Sequence, residues 1–209
     1  MTDTSVLVGG VSELFQHDLD LGRLAIEQLQ GEQLGHGVRV EELHYGAVAV
    51  AQRLEDLRPQ ALILISAVQR GRPPGTVERR RVQPPELTTA DVQAAVGDAV
   101  TGYVHPDLVI EIATALGFLP ARTIAVEVEP EITGSGEGLS ASAAEGLQVA
   151  LALVRAEVRR AVLALADELR PLLHGDRLES SNALAALRAL WWTLIEELDR
   201  LEAIEAAAR

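Results

Sequence analysis

The sequence predicts an α/β fold: a three-layer, doubly wound, mostly parallel sheet of about five strands between helices, followed by a C-terminal helical hairpin. Three observations predict it. Short apolar, β-branched runs begin at Ser5, Val38 and Ala61, and the stretches between them repeat their apolar residues at helical spacing. The run Ala61-Leu62-Ile63-Leu64-Ile65-Ser66 is continuous, as suits a central parallel strand covered on both faces. The last third of the chain carries apolar residues in steps of three and four, from Leu147 to Leu172 and again from Leu184 to Leu201. Strand, helix, strand, helix, strand in this order implies right-handed crossovers.

The first strand, Ser5 to Val8, ends at Gly9-Gly10, and the loop Val11 to Leu21 carries Glu13, His17, Asp18 and Asp20. A charged loop at the carboxyl end of a buried strand is where open α/β sheets hold ligands. Leu21 to Leu34 reads as a helix stopped before Gly35-His36-Gly37. A second strand, Val38 to Tyr45, ends at Gly46, and a short helix from Ala47 to Leu57 is stopped by Pro59. After the strand Ala61 to Ser66 and the loop Gly71-Arg72-Pro73-Pro74-Gly75, Thr76 to Val82 reads as a charge-rich edge strand. Its triplet Arg79-Arg80-Arg81 is expected to be solvated rather than a phosphate site. Pro84-Pro85 opens an irregular stretch to Gly102, with a helical turn from Asp91 to Val100.

Val104-His105-Pro106-Asp107 leads into a helix with Leu108, Ile112, Ala115 and Leu116 on one face. The last strand, Arg122 to Val128, sets Ile124, Val126 and Val128 on one side and ends at Pro130. The acidic loop Gly134 to Gly138 lacks the lysine and the spacing of a phosphate loop. Ser140 caps a long helix that His174-Gly175-Asp176 breaks, and Asp176 with Glu179 has the spacing of a capping box. The final helix places Leu184, Leu187, Trp191, Leu194, Leu198 and Leu201 on an a/d seam, whose expected partner is the preceding helix. Self-association through that seam is the alternative. Trp191 and Trp192 cannot share one face, so at least one of them faces outward or meets a second surface.

Composition excludes several function classes. A net charge of -13 argues against nucleic-acid and anionic-membrane partners, which require a basic surface. With no cysteine there is no disulfide, thiolate metal site or thiol catalysis. Every basic residue other than histidine is an arginine, so lysine catalysis is excluded as well. No apolar run reaches the ~18 residues of a membrane span and the amino terminus lacks a secretory pattern, so the expected location is cytoplasmic.

Four pieces of the chain carry a resemblance. They are Gly9-Gly10-Val11-Ser12 followed by Asp18 and Leu21-Gly22; Leu62 to Ala67; His105 leading into Leu108 to Leu116; and Val126-Glu127-Val128-Glu129-Pro130 with Gly138-Leu139-Ser140. In order and spacing the chain from Ser5 to Val158 resembles the hydrogenase maturation endopeptidases, which trim the carboxyl-terminal extension of nickel-iron hydrogenase large subunits. The resemblance implies an α/β domain over residues 1–158, with residues 159–209 as a helical extension. It implies that the partner is a large-subunit precursor and that the protein has no cofactor of its own, any nickel being carried by that precursor. It also implies three metal-contacting positions: an acidic residue after the first strand, an aspartate ending a middle strand, and a histidine before a helix.

In this chain those positions hold Leu19, Ser66 and His105, so only the histidine is retained. Asp18, Asp20 and His44 lie close enough in the expected fold to complete a histidine/carboxylate set with His105. Glu111 is placed to support His105 as a hydrogen-bond acceptor. The competing expectation is that all of these are ordinary polar residues at a sheet's edge. No nucleophile elbow or serine-histidine-aspartate spacing is present, and the sequence assigns no catalytic residue. Three functions are compatible: a maturation endopeptidase with a rearranged recognition site, a non-catalytic assembly or chaperone factor that binds the precursor through the same groove, and, least favoured, a small-molecule binding domain. Loss of two ligand positions favours the second.

Overall fold

The computed structural model describes residues 4–100 and 104–173. Five strands form one sheet: β1 (Val6–Gly10), β2 (Val38–Glu42), β3 (Ala61–Ala67), β4 (Val77–Arg81) and β5 (Arg122–Val128), in the order β2-β1-β3-β5-β4. All neighbours are parallel except β4, which lies antiparallel to β5 at the edge. The helices are α1 (Leu21–Gln30), α2 (Ala47–Leu57), α3 (Thr89–Val100), α4 (Pro106–Ala115) and α5 (Ala141–Leu173). The mostly parallel, doubly wound architecture is the one the sequence predicts.

Strand alternation divides the core into two layers. Val6, Val8, Ile63, Ile65, Val126 and Val128 face one side and pack with α1 and α5. Leu7, Leu62, Leu64 and Ala125 face the other and pack with α2, α3 and α4. β1 and β3 are buried along their whole length, and the one polar side chain they carry, Ser66, comes next to last in β3. The chain leaves β1 toward β2 on one side and returns to β3 on the other, so the strand order reverses between β1 and β3. Their carboxyl ends therefore flank the crevice where such sheets bind ligands.

Close backbone approach positions that crevice. A Cβ at Gly10 would strike the Gly22 carbonyl oxygen, and one at Gly22 would strike the Val11 carbonyl oxygen. The first turn of α1 can therefore seat directly on the end of β1.

Several boundaries differ from expectation. A single 3-10 turn, His17–Asp20, leads into α1. The helix then ends at Gln30, with Gly31 as its C-cap, rather than at Leu34; Gly35 and Gly37 adopt positive φ on the way into β2, and Leu34 stays in the core outside the helix. The second strand stops at Glu42, and the expected turn near Asp91 is a full helix, α3. The 33-residue α5 runs unbroken through position 158, the expected domain limit. Among the described residues no helix is long and apolar enough to cross a membrane. His174 and the final helix with Trp191 and Trp192 lie outside the described residues.

Candidate functional site

Between the carboxyl ends of β1 and β3 and the start of α4 lies a narrow crevice of about 10 Å³, lined by Ser12, Glu13, Leu19, Ala67, His105 and Pro106. That volume admits about one water. Its walls are built by short links. Val11 N donates to the Ile65 carbonyl at 3.0 Å, holding the loop against β3, and Glu13 N donates to the Leu19 carbonyl at 3.0 Å, closing the loop on itself. Ser12 is buried, and its Oγ accepts from the Arg23 backbone N at 2.6 Å, satisfying a donor in the first turn of α1. His105 is the N-cap of α4: its Nδ1 accepts from the Asp107 backbone N at 3.3 Å, and Pro106 occupies the first helical position.

The sequence-predicted site residues do not converge. Asp18 is fully buried and points away from the crevice. Its Oδ2 accepts from Glu131 N at 2.8 Å, Ile132 N at 2.9 Å and Ser140 Oγ at 2.8 Å, and its Oδ1 from Ser140 N at 2.7 Å. Burial alone would raise its pKa, but these hydrogen bonds prevail and hold it below the ordinary aspartate value. Asp20 is clasped by the Arg23 guanidinium, whose Nε lies 2.9 and 3.0 Å from its two oxygens. His44 sits past β2 with Nδ1 3.2 Å from Glu42 Oε2, and its ring meets Tyr45 edge-on. The carboxylate beside the His105 ring is that of Asp107, with Oδ2 3.6 Å from Nδ1. Glu111 lies further along α4; burial, then repulsion from Asp107, raises its pKa.

Of the family positions, Leu19 and His105 do line one crevice, and Ser66 is buried beside its floor with an Oγ that has no hydrogen-bond partner. Among the described residues no three histidine, cysteine, aspartate or glutamate side chains group so as to hold a metal ion. Leucine offers no donor atom and the two aspartates are engaged elsewhere, so these residues do not fit a metal-gripping site.

No family model matches the chain, and no curated protein matches its sequence. Solved structures do. A solution structure of an endopeptidase from Escherichia coli is 24% identical, with a TM-score of 0.55 over 74% of this chain and 92% of that one. The hydrogenase maturating endopeptidase HybD from E. coli is 23% identical, with a TM-score of 0.53 over 74% and 92%. The hydrogenase 2 maturation peptidase from a Thaumarchaeota archaeon is 21% identical, with a TM-score of 0.50 over 71% and 94%. The chain has the hydrogenase maturation endopeptidase fold.

On this maturation endopeptidase fold, the chain builds a polar network that sequence reasoning missed. Glu127 is fully buried near the end of β5. Arg70 donates to it through Nε at 3.1 Å and Nη2 at 2.9 Å, and Arg80 through Nε at 2.8 Å. Arg70 also makes paired bonds to Asp107 at 2.7 and 2.8 Å, and Arg80 reaches Asp107 at 3.1 Å. Glu129 accepts from the backbone N of Arg70 and Gly71, fixing the loop that carries the arginine. The arginine triplet is thus not simply solvated. Arg80 enters this network and Arg79, though exposed like Arg81, pairs with Glu157 at 3.0 Å. The available signal was Glu127 itself, a carboxylate between buried strand positions, which calls for a cationic partner. Through Asp107 the network reaches the N-terminus of α4 and so fixes His105.

These carboxylates set the acid limit of stability. Burial opposes ionisation of Glu127, yet Arg70 and Arg80 hold its pKa below normal; Asp107 is lowered chiefly by its bonds from Arg70. A folded pKa below the unfolded one makes stability present above the unfolded value and lost as pH falls through the folded one. Glu111, with its raised pKa, acts oppositely: its contribution is present below the unfolded value and lost as pH rises through the folded one. Asp18 and Glu157, buried and hydrogen-bonded in the ionised form, are lowered like Asp107 and Glu127 and act in the same direction. The thermal midpoint should therefore fall steeply below about pH 4. Thermal melts by circular dichroism from neutral to acid pH measure this, and Asp18→Asn should flatten the profile.

Proposed function

We propose that this protein is a hydrogenase maturation factor that binds a nickel-iron hydrogenase large-subunit precursor at the β1/β3 crevice and does not cleave it through metal recognition. The observation that carries this reading is Leu19 facing His105 across the crevice while Asp18 is enclosed by backbone donors. The groove of the fold is kept, and the donor set that would grip the precursor's nickel is not. Beside the crevice the first loop presents Leu14 and Phe15 to solvent, with Phe15 64% exposed. Phe15 holds a φ of 60°, a strained conformation for an aromatic residue. Strain of this kind concentrates where structure serves binding, and an exposed aromatic beside a groove suits a protein partner.

The test is incubation of the purified protein with nickel-loaded precursor, reading cleavage by mass and binding by co-elution. Binding without cleavage is expected, weakened by Phe15→Asp and by His105→Ala. Removal of the precursor's C-terminal extension would overturn the non-cleaving reading, and absence of binding would overturn the hydrogenase assignment.

A further inference from the structure

The loop from Glu13 to His17 is held in a strained conformation by a second loop, Glu131 to Gly138. Phe15 has a φ of 60° and His17 one of 48°, so two residues with side chains sit close together in the left-handed region. Four bonds clasp the loops. His17 N donates to the Gly136 carbonyl at 3.0 Å, Gly136 N to the Phe15 carbonyl at 2.8 Å and Asp18 N to the Ile132 carbonyl at 3.1 Å. The His17 ring adds a fourth, from Nδ1 to the Gly138 carbonyl at 3.2 Å. It lies so close over Gly136 that a Cβ at this position would collide with it. The strain is not repaid by packing of Phe15, which is 64% exposed. Leu14 and Ile132 are exposed as well, so the clasp presents three apolar side chains from two loops. Their surroundings are acidic: Glu13 is half-buried, Glu131 and Glu137 are exposed, and neither loop carries an arginine. Glu13 also lines the crevice.

We propose that the two clasped loops form a docking surface, continuous with the crevice at Glu13, for a segment of the precursor in which apolar side chains are flanked by basic ones. The identity of the partner rests on the hydrogenase reading above; its chemistry follows from this surface. Phe15, Leu14 and Ile132 supply the apolar contact, and burying an exposed aromatic gives an interface most of its affinity. The carboxylates around them select a basic flank and set its register, since complementary charge governs orientation and rejects acidic partners. The clasp gives the strain a purpose. It fixes the loop before the partner arrives, so less conformational freedom is lost on binding. His17 is a positioning residue here: its ring, seated on Gly136, holds the turn that points Phe15 outward.

The test is the affinity of the full-length protein for the large-subunit precursor, measured by biolayer interferometry at low and high salt. Wild-type affinity should fall severalfold between about 0.05 and 0.5 M salt, as screening weakens exposed charge pairs. Glu13→Gln combined with Glu137→Gln should remove most of that salt dependence. Ile132→Ser, which changes only the second loop, should weaken binding about tenfold while far-UV circular dichroism and the thermal midpoint are retained. Gly136→Ala drives the His17 ring from its seat and should weaken binding severalfold at the same salt. Wild-type binding that Ile132→Ser and Gly136→Ala both leave unchanged would place the contact elsewhere and overturn the docking surface. Salt-independent wild-type binding would overturn the basic flank. Either result leaves the hydrogenase reading standing, whereas absence of wild-type binding removes that reading and this one with it.

Discussion

Replacing Asp18 with alanine is expected to lower the unfolding free energy by about 3–4 kcal/mol. The carboxylate collects three backbone N–H groups, from Glu131, Ile132 and Ser140, together with the Ser140 hydroxyl, and has no exposed surface. Truncation leaves these donors facing a space without an acceptor, and each buried unsatisfied donor costs about 1–3 kcal/mol. The damage is not local to the 3-10 turn. The same bonds order the connection from β5 to α5, and Ser140 also caps α5 by accepting from Ala143 N at 3.2 Å. Asp18→Asn keeps the volume but turns an NH2 group toward N–H donors, so its loss should be smaller than that of alanine. Urea unfolding followed by circular dichroism measures both. A residue whose main task was to hold a metal would behave oppositely: removing it would spare stability and impair only binding.

Glu127→Ala is expected to cost about 3–5 kcal/mol, the penalty for breaking a buried ion pair from one side. Three guanidinium groups, those of Arg70, Arg72 and Arg80, would lose a carboxylate they pair with. The consequence should also reach the crevice. Arg70 bridges Glu127 and Asp107, and Asp107 donates its backbone N–H to His105. Loss of Glu127 releases one end of that bridge, so the His105 ring signals should shift in NMR spectra although position 127 does not line the crevice. Unfolding in urea gives the energy, and the imidazole resonances report the positioning. Glu127→Gln keeps hydrogen-bond acceptance without charge and should fall between alanine and wild type in both.

The two variants mark where reading the sequence succeeds and where it stops. Ala61 to Ser66 is visibly a central strand because burial on both faces leaves Ala61 to Ile65 without a polar position. Ile124, Val126 and Val128 do share a face, as period-two alternation requires. The site was only partly legible. His105 lies at the crevice with Leu19 opposite, where sequence order places both, whereas Asp18 and Asp20 look from the sequence like neighbouring ligands and are engaged elsewhere. Acidic residues in a loop carry no mark of direction. Asp18 is bound by residues more than a hundred positions away, and Asp20 by Arg23 within its own turn.

The sequence alone determined the architecture, because hydrophobic periodicity and glycine or proline stops are local properties that any fold of this chain must obey. It also determined that Leu19 and Ser66 cannot replace carboxylates as metal ligands, since that is a matter of which atoms are present. Only the tertiary structure decided that Asp18 secures the connection into α5, that Arg70 and Arg80 converge on Glu127, and that the loops around Phe15 and Gly136 clasp each other. These facts depend on groups far apart in the chain being brought within about 3 Å, where a charge or a hydrogen bond acquires its energy.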